Sequence, residues 1–217
     1  MTNIFCIIGS MEASQVDYIN LLFDDTKFIN KNKLVRLIFG TTKPKTNTEI
    51  DDRYYTITKE EFENLNSTDL IEHRSCYNIN IKDDIYYFTK RSDIYENKDK
   101  NLICIASPYQ YESYKSWTSM ENIKNHKSFS LNCIYIERNM KEELLSLISK
   151  AQSEDEIQEI CSRAMQEKIE YDEVKPKIPE LFSPRICENV CIINSNSIST
   201  NLAKIKDFIS FTINNNY

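Results

Sequence analysis

The sequence of 217 residues contains only two glycines, Gly9 and Gly40. Glycine lets a backbone adopt left-handed conformations and approach a ligand closely, because it has no side chain in the way. Loops that cradle phosphates with their backbone amides therefore contain several glycines close together. The two glycines are 31 residues apart, so the sequence contains no glycine-rich loop.

Positive charge is also scarce. The 27 lysines and arginines are outnumbered by 33 aspartates and glutamates, so the formal net charge is -6 and the sequence pI is about 5.2. A surface that binds nucleic acid needs clustered positive charge to meet the phosphate backbone. We therefore expect no nucleic-acid partner, although a local basic pocket is compatible with this composition.

Long apolar runs are absent, and so is the basic, apolar and small-residue order of a signal peptide. These absences predict no membrane association and a cytoplasmic location. The seven cysteines are odd in number, irregularly spaced and mostly within apolar runs, which indicates buried free thiols in a reducing compartment. No second cysteine pair with a histidine completes a zinc site, so we predict no metal site.

What the sequence does contain is an alternation of apolar, strand-length runs with helical patterns. The runs lie at residues 4–8, 34–39, 101–107, 131–136 and 189–194. This order predicts one α/β domain over residues 1–217, with a mostly parallel sheet flanked by helices. Two adjacent strands and a tight polar turn near residues 70–89 predict a small antiparallel lobe inserted into that domain. We place the core at 1–40 and 90–217 and the lobe at 41–89.

A polar loop between the strands near residues 39 and 54 carries the most binding chemistry. Lys43, Lys45 and Arg53 offer cationic groups that suit a phosphate or carboxylate. Tyr54 and Tyr55 follow, and their hydroxyls can complete the hydrogen bonds of an oxyanion. Two interpretations are open: a pocket for a small anion, or a solvated hairpin loop with scattered charge.

The order of residues here resembles the GMP-binding region of guanylate kinases. Thr41-Thr42, a base, Pro44, a second base, a short spacer, a tyrosine and then a capped helix follow the family's sequence of features. The resemblance extends thinly over almost the whole chain and is specific from about residue 41 to 89. It implies a P-loop-kinase-like fold in which 41–89 is the nucleotide-monophosphate-binding lobe and a lid lies near 139–172.

The resemblance also implies a set of substrate-binding residues. Lys43, with Lys45 or Thr46, stands where the family has two phosphate-binding arginines, and Tyr55 stands at its phosphate-binding tyrosine. Glu72 stands at the carboxylate that reads the guanine ring, and the strand after it supplies two more pocket residues. The implied set is Lys43, Lys45, Tyr55, Glu72, Tyr87 and Thr89.

Most of the residues that bind ATP and magnesium in the resembled family are replaced in this sequence. A strand, turn and helix open the chain as a P-loop requires, and Gly9 keeps its first glycine. Ser14 replaces a later glycine, Gln15 replaces the lysine that neutralises phosphoryl charge, and Val16 replaces the hydroxyl that holds magnesium. No acidic residue stands at 105–108, where the family carries an Asp pair. Arg163 is the only arginine on the second helix of the lid region.

Three functions are compatible with these residues. The first is a catalytically impaired guanylate-kinase-like protein that binds GMP, another phospho-ligand or a protein partner. The second is an active GMP kinase with a divergent P-loop, and only this one requires ATP and magnesium as cofactors. The third is a protein-interaction module whose pocket binds no nucleotide. The missing groups all act in one step, phosphoryl transfer, so the first hypothesis ranks above the second.

Overall fold

The computed structural model describes residues 1–9, 12–45, 53–78, 81–125, 128–137, 140–174, 190–194 and 197–215. The strands are β1 (Thr2–Gly9), β2 (Leu34–Arg36), β3 (Phe39–Thr41), β4 (Tyr54–Thr56), β5 (Leu70–Asn78), β6 (Asp83–Lys90), β7 (Asn101–Ile105), β8 (Phe129–Ile136) and β9 (Val190–Ile193). The helices are α1 (Glu12–Asp24), α2 (Thr26–Asn32), α3 (Lys59–Glu63), α4 (Arg91–Tyr95), α5 (Pro108–Lys124), α6 (Met140–Lys150), α7 (Glu154–Val174) and α8 (Ile198–Asn215).

The larger sheet has five strands in the order β2-β7-β1-β8-β9, and every pairing in it is parallel. Helices cover both faces, which is why β1 is apolar and buried along nearly its whole length. Tyr18 and Leu22 of α1 and Ile205 of α8 pack on one face, while Tyr114 and Trp117 of α5 pack on the other. The predicted fold class, a mostly parallel sheet flanked by helices, is confirmed.

The smaller sheet has four strands in the order β4-β3-β6-β5 and forms the inserted lobe. The pairs β5/β6 and β3/β6 are antiparallel, whereas β3 and β4 run parallel to each other. Helix α3 begins at the capping box of Thr58 and Glu61. Its Phe62 ring stacks on Tyr86 at 4.4 Å between centroids and contacts Phe88 at 5.1 Å, so α3 covers one face of the lobe sheet.

The apolar run at 34–39 is not the single strand that we predicted. The Leu37 amide donates to the Ile103 carbonyl in the core, whereas the Phe39 amide donates to the Arg53 carbonyl in the lobe, each at 2.9 Å. The backbone therefore changes sheets within two residues. Hydrophobicity could not reveal this change, because both sheets bury the residues that they receive, and Leu37 and Phe39 are 2% and 6% exposed.

Gly40 on β3 lies directly opposite Phe88 on the neighbouring strand β6. A Cβ atom at this position would stand 2.1 Å from Cζ of the buried Phe88 ring, closer than atoms can approach. The scarce glycine is therefore used for close packing of β3 on an aromatic side chain rather than for binding a ligand.

Candidate functional site

A cleft lies between the core and the lobe, at the carboxyl ends of β1, β2 and β7. Open α/β sheets bind ligands at this edge. The first turns of α1 and α5 and the facing strands of the lobe complete the walls. The lining residues are Gly9, Gln15, Val16, Ile19, Asn20, Arg36, Leu37, Phe39, Arg53, Tyr54, Arg74, Cys104, Ile105, Ala106, Ser107, Pro108 and Gln110.

The side chains of each lobe strand point alternately to the two faces of the lobe sheet, and one of these faces is turned toward the cleft. Side chains on a strand point to opposite faces in turn, and residues directly opposite on neighbouring strands point the same way. Glu72 lies opposite Thr89, and Arg74 lies opposite Tyr87. The Tyr87 ring also contacts the Tyr54 ring at 5.4 Å between centroids. Glu72, Tyr87 and Thr89, all predicted site residues, therefore lie on one face of the lobe sheet.

Glu72 is the buried acid of this face, with 5% of its surface exposed. It is not itself a lining residue of the cleft, but it bonds to the lining residue Gln110. Its Oε1 atom accepts a hydrogen bond from Thr89 Oγ1 at 2.7 Å and another from Gln110 Nε2 at 3.3 Å. Since the Thr89 hydroxyl proton is used on Glu72, the Tyr114 hydroxyl donates to Thr89 Oγ1 at 2.8 Å. Glu72 Oε2 is buried and has no hydrogen-bond partner among the described residues.

Burial makes the charged form of Glu72 costly. Desolvation raises the pKa of the Glu72 carboxyl group, and the hydrogen bonds from Thr89 and Gln110 and the charge of Arg74 partly oppose that rise. The two donors on Oε1 fix the orientation of the carboxyl group. Oε2 is thus the oxygen left to accept hydrogen bonds from a further donor group, and a buried acceptor without a donor is energetically costly.

Tyr55 does not reach the cleft. It is next to Tyr54 on β4, so its side chain points to the opposite face, where its hydroxyl donates to Asp93 Oδ2 at 3.0 Å. Burial and the Asp93 charge raise the pKa of Tyr55. Tyr54 lines the cleft instead. Tyr55 is thus next to the lining residue Tyr54 in the chain, and the phosphate-binding role that the resemblance implies for it stays a prediction.

The cationic groups of the cleft also differ from those predicted. Lys43 is half-buried and Lys45 is exposed, and neither lines the cleft. Three arginines do: Arg36 at the end of β2, Arg53 before β4, and Arg74 on β5. Of these, sequence reasoning had named only Arg53. Arg74 could have been predicted from the sequence, because it follows Glu72 by two residues on the same strand and therefore points to the same face.

Two of these arginines contact aromatic rings of the cleft wall. The Arg53 guanidinium lies 5.4 Å from the Tyr54 ring centroid, and the Arg74 guanidinium lies 5.4 Å from that of Tyr87. A guanidinium at this distance is attracted to the negative face of the ring. The two rings thus contact each other, and each has one guanidinium beside it.

The side chain of Gln15 on α1 bonds back to the end of β1. Gln15 is 2% exposed, and its Nε2 atom donates to the Gly9 carbonyl oxygen at 2.6 Å. The side-chain amide is therefore already engaged with the backbone of Gly9. Val16 lines the cleft with an apolar side chain. The resembled family has a magnesium-binding hydroxyl at this position. The side chain of Ser14 lies outside the described part of the chain.

The end of β7 carries no acid. Ala106 and Ser107 line the cleft there, and Ser107 caps α5 by accepting from the Gln110 amide at 3.2 Å. In turn, Gln110 Oε1 accepts a hydrogen bond from the Ser107 backbone amide at 3.0 Å. This contact orients the Gln110 Nε2 atom toward Glu72. Helices α6 and α7 occupy the region of the predicted lid, but the side chain of Arg163 lies outside the described residues.

Among the described residues, no group of three or more His, Cys, Asp or Glu side chains is placed to hold a metal ion. No helix in that part of the chain combines the length and the apolar character that crossing a membrane requires.

No protein-family model and no curated protein matches the sequence. Among solved structures, the fold is similar to the crystal structure of guanylate kinase from Anaplasma phagocytophilum, with a TM-score of 0.53 and 14% sequence identity. The alignment covers 97% of this chain and 86% of that chain. The chain has a guanylate-kinase-like fold. At this identity the similarity concerns the fold alone, and the cleft residues carry the argument on function.

Proposed function

We propose that this protein binds a guanine nucleotide in the cleft between core and lobe and does not transfer a phosphoryl group from ATP. The observation that carries the proposal is the buried Glu72 carboxyl group, held through Oε1 by Thr89 and Gln110 and with no hydrogen-bond partner on Oε2 among the described residues. Guanine presents adjacent N–H donors on its Watson–Crick edge, and a carboxylate is an acceptor-only group.

The aromatic and cationic side chains of the cleft suit the rest of a nucleotide. Tyr54 and Tyr87 offer ring surface against which a base or sugar can pack. Arg53 and Arg74 supply guanidinium groups, which bind phosphate through two parallel hydrogen bonds. These residues take the place of Lys43, Lys45 and Tyr55 in the phosphate-binding role, while Glu72, Tyr87 and Thr89 keep the roles that the resemblance implies.

The turn after β1 supports the absence of phosphoryl transfer. A P-loop lysine reaches the transferring phosphate with its charge, whereas the Gln15 amide is neutral and bonds to Gly9. No acid stands at the end of β7 to serve the reacting groups. Since these groups act together in one step, loss of several of them is expected to abolish turnover rather than slow it slightly.

The proposal is tested by calorimetric titration of wild type and a Glu72→Gln variant with GMP and AMP. We expect GMP to bind more tightly than AMP, and Glu72→Gln to weaken GMP binding by about 1.5 to 3 kcal/mol, the range for a charged hydrogen-bond partner. Adenine offers a different donor and acceptor pattern, so the variant should leave AMP nearly unchanged.

The matched control is Glu121→Gln. Glu121 on α5 is also a buried glutamate, 4% exposed, but it accepts hydrogen bonds from Tyr95 of α4 and from Asn125 at the end of α5, and not from the lobe sheet. It should keep the wild-type preference for GMP. Equal binding of GMP and AMP by the wild type would contradict guanine recognition, and absence of any nucleotide binding would favour a protein-interaction module.

A further inference from the structure

Gln110 brings a side-chain amide to the wall of the cleft. It is the third residue of α5, it is 6% exposed, and it is one of the lining residues. Its hydrogen-bond partner Glu72 is not a lining residue. A ligand in the cleft therefore meets the Gln110 amide beside the Glu72 carboxyl group.

The orientation of this amide is fixed. The Ser107 backbone N–H can only donate, so the Gln110 atom 3.0 Å from it must be the oxygen Oε1. The nitrogen Nε2 then faces Glu72, where it donates to Glu72 Oε1 at 3.3 Å. Since the Gln110 backbone amide also donates to Ser107 Oγ, a complete capping box holds the side chain in place.

One N–H group of this amide is left for a ligand. A carboxamide nitrogen carries two hydrogen atoms. One is used on Glu72, and the other has no hydrogen-bond partner among the residues that the structure describes. Because Gln110 lines the cleft, a ligand can supply the missing acceptor.

The other donors around Glu72 are already used. Thr89 has a single hydroxyl proton, which it donates to Glu72 Oε1 at 2.7 Å. The Tyr114 hydroxyl donates its proton to Thr89 Oγ1 at 2.8 Å. Of these three donors, Thr89, Tyr114 and Gln110, only Gln110 keeps a proton for the ligand.

We propose that Gln110 recognises the substituent at position 6 of the purine by donating Nε2–H to an oxygen there, an inference that rests on the guanine-nucleotide binding proposed above. Guanine places O6 beside the N1–H donor, which matches a donor on Gln110 beside the acceptor Glu72 Oε2. Adenine places an amino group beside an unprotonated N1, so both contacts would be mismatched. The ligand class is thus a 6-oxopurine nucleotide.

The test is calorimetric titration of wild type, Gln110→Met, Gln110→Glu and Asn122→Leu with GMP, 6-thioguanosine monophosphate and AMP. The thio analogue differs from GMP in one atom, because sulfur, a weaker acceptor, replaces O6. Methionine keeps the length of the side chain without its donor. Glutamate keeps the acceptor for the Ser107 amide, which preserves the capping box if the methionine variant does not fold.

Asn122 is the matched control. It carries a carboxamide on the same helix, but at the far end of α5, where Nδ2 donates to the Phe129 carbonyl oxygen at 2.8 Å. It is not a lining residue of the cleft. Melting curves establish that each variant is folded.

We expect the wild type to bind GMP about three- to tenfold more tightly than the thio analogue, the range for one neutral hydrogen bond. Both Gln110 variants should lose this preference. The ratio of the two affinities is the readout, because a general loss of structure weakens both ligands alike. Gln110→Glu should also lower the preference for GMP over AMP, since a carboxylate accepts from the 6-amino group and cannot donate to O6. Asn122→Leu should keep the wild-type ratios.

The outcomes separate this inference from the proposed function. Equal binding of GMP and the thio analogue by the wild type, or a preference that the Gln110 variants keep, would show that Gln110 only caps α5. Either result would overturn the inference and leave the proposed function intact, because Glu72→Gln tests that function separately. Absence of GMP binding by the wild type would overturn both.

Discussion

At the scale of single residues, the account depends most on Glu72. A buried carboxyl group needs partners, and the three side chains that hold it come from two elements. Thr89 belongs to β6, whereas Gln110 and, through Thr89, Tyr114 belong to α5. Because Oε1 already accepts two hydrogen bonds, a proton taken up by Glu72 would be placed on Oε2. The protonation state of this one group therefore determines whether the cleft accepts or donates at that point.

This arrangement predicts a pH dependence of GMP binding. Burial raises the pKa of Glu72 in the free protein, and guanine binding favours the ionised form. GMP affinity should therefore be constant above that raised pKa, fall as the pH drops through it, and show proton release on binding near it. Calorimetry in buffers of different ionisation enthalpy measures both effects.

The Glu72→Gln variant is the control for this pH dependence. Arg74 is a charged neighbour of Glu72 on β5, and the phosphate of GMP itself changes charge with a second pKa of about 6. Their contributions persist in the variant. A pH profile of the variant that equals the wild-type profile would show that Glu72 is not the titrating group.

At the scale of elements, the two faces of the lobe sheet have different tasks. One face carries Tyr54 and Arg74 into the cleft, with the Tyr87 ring in contact with both, and the other face packs on Phe62 of α3 through Phe88. Consecutive residues on β4 are thus separated by function. Tyr54 belongs to the ligand side, whereas Tyr55 ties β4 to the start of α4 through Asp93.

Conservative variants of the two tyrosines test this division. Tyr54→Phe should weaken nucleotide binding by about 0.5 to 1.5 kcal/mol, if its hydroxyl makes one hydrogen bond to the ligand, and leave the urea midpoint nearly unchanged. Tyr55→Phe should lower the free energy of unfolding by a similar amount, because it leaves Asp93 with one donor fewer, and keep wild-type affinity. The reverse pattern would show that the faces are assigned incorrectly.

The sequence alone could predict part of this architecture. The mostly parallel sheet flanked by helices and the inserted antiparallel lobe follow from local patterns and from the resemblance. The change of sheet between Leu37 and Phe39 does not, because it depends on which neighbour each amide finds. Arg36 and Arg74 were missed for a related reason: a charged residue within a strand looks solvent-exposed until the facing layer is known.

At the scale of the whole molecule, the chain has a guanylate-kinase-like fold. A five-stranded parallel sheet and an inserted lobe make up this fold, and the alignment with a guanylate kinase covers 97% of the chain. Within that fold, Gln15 is bound to Gly9 and the end of β7 is followed by Ala106 and Ser107. Arginines line the cleft on its core side and on its lobe side.

The most direct test of nucleotide binding without phosphoryl transfer is calorimetric titration of the purified full chain with GMP and, separately, with magnesium-ATP. The account predicts that GMP binds and that magnesium-ATP gives no specific heat. It also predicts no GDP formation when both nucleotides are present in a coupled assay. Binding of magnesium-ATP together with GMP-dependent turnover would contradict it.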